Sequence, residues 1–521
     1  MPHPRSDAAP RFDLALLGIL AVALALRVWR LDVPYVDAHS WRQVTNADIA
    51  RHFATSTLDL FHPQVSWGGR DGVVGMEFPL LQWMTGIVWR VTGESEPIGR
   101  LISVLWSVLG VAAMYALGRR LLGRGGGLAA AALMAISPSV VYFGRTLLSD
   151  TPMLTCMIAA VWLWDVWFDE PRPLVFAAAT ACTALAALVK LPAILVLAPV
   201  AGVALRHRGW RAVGDGRLWA GVALVLAVTA AWYYHADRIF LATGLTQAVF
   251  RPSGTYPADI APGVTFVSIS HWVTASRFFA IDTWSQLGDR FWQLHLTTIG
   301  AVGALLGLWL APRATRLPID LWALAGLALF LVALEGQYWH EFHQLPILPP
   351  LFLYFGAAAG PLFDAEWRAR WFPGWRGGVA LALVLAIVVW QMERASGVVL
   401  HLYRPDNLQS GFIGVGGAIR QATEADATLI TVDYDDGGAN SPMLLYYAHR
   451  QGWSFDIHSI SPAVLEALRT RRHAAYFATT TWHELADNQP EVARYLTTRG
   501  KELPLEGAPS TVRLFDLRTA R

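Results

Sequence analysis

Charge is what this sequence has least of. Asp, Glu, Lys and Arg make up 15% of its 521 residues, against about 25% in soluble domains. That shortage excludes a disordered chain and an ordinary soluble enzyme. Cysteine is nearly absent. Cys156 and Cys182 are the only two, and both lie in apolar stretches, where they read as packing residues rather than a disulfide framework. The net charge of +2 argues against nucleic acid as a partner. No internal repeat is visible, which weakens a transporter reading, since many transporters are built from repeated halves. No P-loop, Rossmann glycine pattern or GxSxG stands between a strand and a helix, so nucleotide-driven transport by this chain alone is disfavoured.

What is present is apolar sequence, 54% of the chain, clumped into runs such as LALLGILAVALAL and VALALVLAIVVW. A helix needs about 20 mostly apolar residues to span a bilayer. The chain therefore reads as a polytopic α-helical membrane protein with about eleven transmembrane helices. They are expected near 13–30, 98–118, 126–143, 152–168, 174–190, 191–206, 218–234, 294–312, 318–336, 345–362 and 377–394. A single kinked helix is the rival over 174–206, where Lys190-Leu191-Pro192 marks the break. GRGGGLAAAA reads as a turn followed by small-residue helix packing.

Arginine placement sets the orientation. With the N-terminus cytoplasmic, the segments on that side hold Arg5, Arg11, Arg119, Arg120, Arg124, Arg206, Arg208, Arg211, Arg217, Arg313, Arg316, Arg368, Arg370 and Arg376. The short loops opposite hold little beyond Arg145 and Lys190. Arg27 and Arg30 at the far end of the first run, and the lack of a small-x-small cleavage site, favour a retained helix over a signal peptide. The reading is a transmembrane domain over 1–394, with a first outer loop at 31–97 and a long outer loop at 235–292. An extracytoplasmic α/β domain follows over 395–521. In that domain TLITVDY and AAYFAT read as strands, and MLLYYAHRQG and AVLEALRTRR as helices.

The few charges on the outer side are the candidate chemistry. The first loop brings Asp37, His39, Trp41 and Arg42 within six positions. Carboxylates accept hydroxyl hydrogens, Arg forks onto phosphate and Trp stacks on a sugar face, so the mixture suits a phosphorylated sugar. An ordinary wet loop is the plain alternative. Glu77 precedes Pro79 and an amphipathic stretch expected to lie in the interface, with Trp83 and Trp89 as anchors. It either binds substrate or offsets a helix dipole. For Arg145 and Asp150 a buried structural ion pair is the plain reading; they are five apart, a poor helical pair spacing, so the other reading has each facing something else, with Asp150 as a second acid near Asp37 for a substrate hydroxyl or a divalent cation. Lys190 either meets a lipid phosphate or snorkels. In HEFH, His340 and His343 would share a face of a helix with Glu341 between them. The spacing is one residue short of the zincin H-E-x-x-H. Substrate binding, a divalent cation shared with an acid from another loop, and a polar helix cap are the readings there. Tyr256, His271, Trp272 and Arg277 in the long loop are weak surface candidates.

Taken in order, these segments resemble glycosyltransferase family 39 of the GT-C superfamily, the protein O-mannosyltransferase-like and aminoarabinose-transferase-like bacterial proteins. The resemblance runs over about 30–360. It rests on Asp37, HSWRQ at 39–43, IARHF at 49–53, EFPLLQWM at 77–84, GRLISVLWS at 99–107, SPSVVYFGRTLLSDTPML at 137–154 and HEFHQLPILPP. It implies an inner-membrane glycosyltransferase that moves a sugar from a polyprenyl-phosphate donor at the outer membrane face. The acceptor would be a lipid, a glycan or a protein. By position Asp37 takes the family's catalytic base and Asp150 its second-loop acid. His39, Arg42, Glu77, Arg145, Lys190, His340, Glu341 and His343 are the binding candidates. Many relatives carry Asp-Glu where this chain has Asp37-Ala38-His39, which opens a metal or substrate role for His39. If displacement is single and in line, the anomer inverts. A flippase for a lipid-linked saccharide, or a membrane scaffold, are the competing readings.

Overall fold

The structure is a computed structural model, and it describes residues 13–247, 253–255, 265–267, 273–371, 373–404, 407–434 and 440–518. α1 (Leu14–Val28) starts on Asp13, whose carboxylate caps the Ala15 amide at 3.2 Å. Two buried elements of the first loop follow, α2 (Ser40–Thr55) and α3 (Leu80–Thr92). α4 (Glu96–Ile136) holds two expected spans in one element that breaks at Gly123, φ 82°. Its arms fold back on each other. A Cβ on Gly118 would stand 2.8 Å from the Gly127 Cα, so the glycines of this turn permit the close approach.

α5 (Pro138–Phe143), α6 (Asp150–Asp169) and α7 (Pro173–Val189) come next. A 3-10 segment at Leu191–Val196 separates α7 from α8 (Leu197–Arg208), so the break at Lys190-Leu191-Pro192 is real. α9 (Gly216–Thr243) is capped by Asp215 and ends at left-handed Gly244. A short antiparallel pair, β1 (Ser253–Thr255) and β2 (Thr265–Val267), precedes α10 (Ala275–Phe279) and α11 (Ile281–Asp289). The bundle continues with α12 (Thr297–Leu310), α13 (Leu317–Val332), α14 (Leu334–Trp339), α15 (Leu348–Ala359), α16 (Ala365–Trp371) and α17 (Trp375–Leu402). Every expected span falls on helix. By length and hydropathy, five described helical segments suffice to cross a bilayer, six with the bent pair around α11 and α12 as one span. Three more apolar helices, α1, α7 and α13, are shorter.

The C-terminal part is α/β. α18 (Asn407–Ala422), β3 (Thr428–Val432), α19 (Met443–Ala448), β4 (Gln451–Ser454), α20 (Pro462–Arg471) and β5 (Tyr476–Thr479) form a parallel β4-β3-β5 core. After α21 (Trp482–Asn488) and α22 (Pro490–Arg499), β6 (Lys501–Leu503) and β7 (Arg513–Asp516) complete the order β4-β3-β5-β7-β6 with antiparallel pairings. The edge strand β4 is not left open. Gly68 of the first loop bridges Trp453, and Gly452 bonds both Ser66 and Gly69. Pairing the edge with a loop removes an aggregation-prone row of free amides. It also ties the first loop to the C-terminal α/β part in one hydrophobic core.

Two expectations fail here. Trp89 is buried, with its indole N–H donating to the Ser95 carbonyl, and Trp83 donates to Leu58. Trp89 is not an interfacial anchor, because α3 packs against α2 and buries that face, whereas Trp83 stays half-buried. The HEFH run is not one helix face either. α14 ends at His340, which is extended (φ −133°, ψ 114°), and a separate 3-10 turn runs over Glu341–Ile347.

Candidate functional site

The first loop turns into α2 at His39, which sits in the left-handed region at φ 58°. That turn sends Asp37 inward. Both of its carboxylate oxygens are used. Oδ1 accepts from Gln43 Nε2 at 2.7 Å and Arg100 Nη2 at 3.1 Å, and Oδ2 accepts from Arg145 Nη1 at 3.2 Å. Asp37, Arg100 and Arg145 have no side-chain exposure. Arg145 also stacks over Tyr403, 4.3 Å from the ring centre, and donates to the Arg30 carbonyl. Its Nε is buried with no hydrogen-bond partner among the described residues.

His39 points to a second group. Its Nε2 lies 2.9 Å from Glu341, whose other oxygen meets Arg290 at 3.0 Å. The His39 ring is edge-on to Phe342 and His340, and His340 stands 5.4 Å from His343. So the two outer-loop histidines do come together, through a chain reversal rather than a helix face. Lys190 reaches Asp150 at 2.6 Å and lies over the Phe342 ring at 4.6 Å. It is therefore not snorkelling. Glu77 is half-buried, and burial raises its pKa against the opposing pull of Lys190 and Arg42. The predicted acids and cations thus fall into one neighbourhood with two centres: Asp37 between guanidiniums, and a wetter group around Lys190 and Glu341. Arg145 and Asp150 each face another partner, as their spacing implied.

The comparisons can now be set beside this geometry. The family model of the dolichyl-phosphate-mannose-protein mannosyltransferases matches residues 77–235, which include Glu77, Arg145, Asp150 and Lys190. No curated protein matches the chain. Among solved structures, ArnT from Cupriavidus metallidurans in the apo state superposes with a TM-score of 0.62 at 16% identity, over 97% of this chain and 98% of that one. AglB from Archaeoglobus fulgidus, in complex with an inhibitory peptide and a dolichol-phosphate, gives 0.52 at 12% identity, over 94% of this chain and 72% of that one. The chain has the fold of the GT-C glycosyltransferases.

Within that GT-C fold, several site residues carry no obvious mark in the sequence. Gln43 and Arg100 hold Asp37, and Arg290 holds Glu341. Arg100 had a readable signal, an ionisable group inside an apolar span. Arg290 had none, because only the chain reversal at His340 brings it near. Tyr256, His271 and Trp272 lie outside the described residues. Arg277 pairs with Glu335 at 3.0 Å and lies 3.7 Å over the Tyr338 ring, whose residue's carbonyl accepts from Arg290.

Among the described residues, no group of three metal-type donors converges around Asp37 or Lys190. Among the described residues, the one group of three metal-type donors within 4.8 Å of one another is Asp165, Asp169 and His207. There Arg120 and Arg206 already bond Asp165, which makes the group an ion-pair clamp. A grouping of Asp48 and His52 of α2 with Ser66 of the loop after it is also structural. Ser66 donates its hydroxyl to Asp48 at 2.5 Å, with His52 at 3.2 Å. In a nucleophilic triad the acid holds the histidine instead.

Proposed function

We propose that this chain moves a sugar from a polyprenyl-phosphate donor to an acceptor hydroxyl, by single displacement with inversion and with Asp37 as general base. The reading places the site on the outer face of the inner membrane, with the N-terminus cytoplasmic. The arginine distribution along the chain supports that orientation. One observation carries the chemistry: a buried carboxylate flanked by two guanidiniums, beside a separate cation-bearing group. An ionised carboxylate offers about four acceptor positions. Asp37 uses two on Oδ1 and one on Oδ2, so Oδ2 keeps one for an incoming hydroxyl. The polyprenyl phosphate is already a good leaving group, and cations placed where its charge develops lower the barrier. Lys190, Arg42 and Arg290 are suited to that. The Arg145 Nε, which has no hydrogen-bond partner among the described residues, supplies a further donor. Asp150 holds Lys190 in place, and His39, Glu341, His340 and His343 line the approach.

The test is transfer or hydrolysis of a radiolabelled polyprenyl-phosphate hexose by purified protein in nanodiscs, with the product anomer read by NMR. Inverted product is expected from the wild type and none from Asp37→Asn. Full transfer by Asp37→Asn would sink the base assignment. A wild type that carries the intact donor across vesicles without cleaving it would favour a flippase.

A further inference from the structure

Tyr35 stands two residues before Asp37 and is fully buried. One residue of α4 holds it at both ends. Its amide donates to the Glu96 carboxylate at 2.7 Å, and its hydroxyl donates to the Glu96 carbonyl at 3.0 Å. Gly99 makes the seat for that hydroxyl. A Cβ there would stand 2.3 Å from the Tyr35 oxygen, with the next nearest atoms, on Trp89 and Thr85, at 3.2 and 3.5 Å. The face of the Tyr35 ring carries the Arg100 guanidinium, 4.8 Å from its centre. Glu96 and Arg100 are four apart, so both reach Tyr35 from one side of the first turns of α4.

Arg100 is spent on the same stretch of the first loop. Its Nε donates to the Val33 carbonyl at 3.1 Å and its Nη1 to Gln43 at 2.9 Å. Its Nη2 donates to the Pro34 carbonyl at 3.0 Å and to Asp37 at 3.1 Å. A guanidinium has five N–H donors, so these bonds occupy nearly all of it. Arg100 therefore sets where the carboxylate sits. Arg145, on the other oxygen, is anchored to the Arg30 carbonyl at 3.0 Å. The Asp37 carboxylate hangs between two cations, each tied to the backbone that leads into it.

We infer that Tyr35 is the positioning residue of the proposed base, seated by Glu96 and Gly99 and acting through Arg100. The inference rests on the glycosyltransferase reading and deepens it. A general base must hold its open oxygen in line with the attacking hydroxyl, and a displacement of about 1 Å costs about 10²-fold in rate. Arg100 presents Asp37 in one place only while the Val33 and Pro34 carbonyls stay put. Tyr35 follows those two carbonyls directly in the chain, so a shift of its ring moves them and the Asp37 turn together.

The test is Gly99→Ala in the full chain in nanodiscs, read by donor turnover and by hydrogen exchange of the peptides over 33–43. Alanine favours a helix over glycine, so α4 itself is not weakened, and the added Cβ meets the Tyr35 hydroxyl. The kcat should fall by about 10²-fold with donor KM unchanged, and exchange over 33–43 should rise. Tyr35→Phe keeps the ring under Arg100 and the amide bond to Glu96, and alone should lower kcat by about tenfold or less. Combined with Gly99→Ala it removes the clashing oxygen, so the double variant should match Tyr35→Phe. Glu96→Ala, which frees the Tyr35 amide without adding bulk, should lower kcat as Gly99→Ala does, and Glu96→Gln, which keeps an acceptor, should restore it. A Gly99→Ala protein with wild-type kcat, or one changed only in KM, overturns the positioning role. So do equal kcat values in the two Glu96 variants, or a double variant no better than Gly99→Ala. A wild type without donor turnover, while exchange responds as expected, overturns the glycosyltransferase reading and the positioning role with it.

Discussion

Replacing Asp37 by Asn separates two roles that the structure joins in one carboxylate. Asn keeps the shape and an acceptor oxygen but removes the only negative charge between Arg100 and Arg145, which touch Asp37 at 3.1 and 3.2 Å with no side-chain exposure. At an effective dielectric of about 20, each contact contributes roughly 5 kcal/mol of gross attraction. Much of that is offset by desolvation. The net cost of leaving a buried charge unpaired is about 3–5 kcal/mol. Asp37→Asn should therefore lower stability by roughly that amount, read from thermal unfolding in nanodiscs. Transfer per folded molecule should also fall by about 10²–10⁴, the usual worth of a general base. Adding Arg145→Met to Asp37→Asn removes the excess charge. The double variant should regain part of the lost stability and none of the activity. An Asp37→Asn protein as stable as the wild type, or a double variant less stable than the single, would refute the charge accounting. Recovered activity in the double variant would refute the base.

Three further outcomes follow from the geometry. Lys190→Met strips the partner from Asp150 and removes a cation that opposes the rise in the Glu77 pKa, and should cut turnover by about 10²-fold or more while donor KM moves little. A change confined to KM would make Lys190 a binding residue only. Gly452→Ala would place a Cβ 1.7 Å from the Leu429 carbonyl oxygen. It should loosen β4 and the first-loop segment paired to it, at a cost of about 1–3 kcal/mol, and unchanged limited proteolysis would count against that pairing. Asp433, fully buried at the end of β3, is pushed up to about 6 by burial, against hydrogen bonds from Ser441 and Ser454. The folded state then holds the proton more tightly than the unfolded state. C-terminal domain stability should fall as pH rises from about 4 to about 6, by up to roughly 3 kcal/mol, and Asp433→Asn should flatten that slope in thermal unfolding.

How far the sequence could be read follows from what each feature depends on. Spans depend on local hydropathy, so the expected runs lie on helix, although five or six described segments are long and apolar enough to cross a bilayer. The strands Thr428–Val432 and Tyr476–Thr479 show as apolar runs, whereas β4 (QGWS), β6 (KEL) and β7 (RLFD) mix polar or charged residues into short strands and give no such run. Trp83 and Trp89 show the limit of composition. An amphipathic helix with two tryptophans looks interfacial, but burial against α2 depends on a partner far along the chain. The same holds at the site. Scarcity of charge made Asp37, Arg145, Asp150 and Lys190 visible one by one, because each ionisable group near a membrane needs a reason. Their pairing was not visible. Arg145 with Asp37 and Lys190 with Asp150 join residues 108 and 40 positions apart, and only the packed bundle decides them.

That pairing bears on mechanism more than the residue types do. An acid bound to one guanidinium could be a simple structural pair. Asp37 instead takes two arginines and a glutamine, with one acceptor position left on Oδ2, and Arg145 retains an unused Nε beside it. A purely structural cluster gains by closing every bond, since an open buried donor costs about 1–3 kcal/mol. Among the described residues the Arg145 Nε has no hydrogen-bond partner, and it is accounted for if substrate completes the network. Saturating donor and acceptor should then raise the thermal stability of the wild type more than that of Arg145→Lys, whose single ammonium cannot span Asp37 and a ligand at once. Equal stabilisation of the two proteins would mean that the open donor is not a ligand contact.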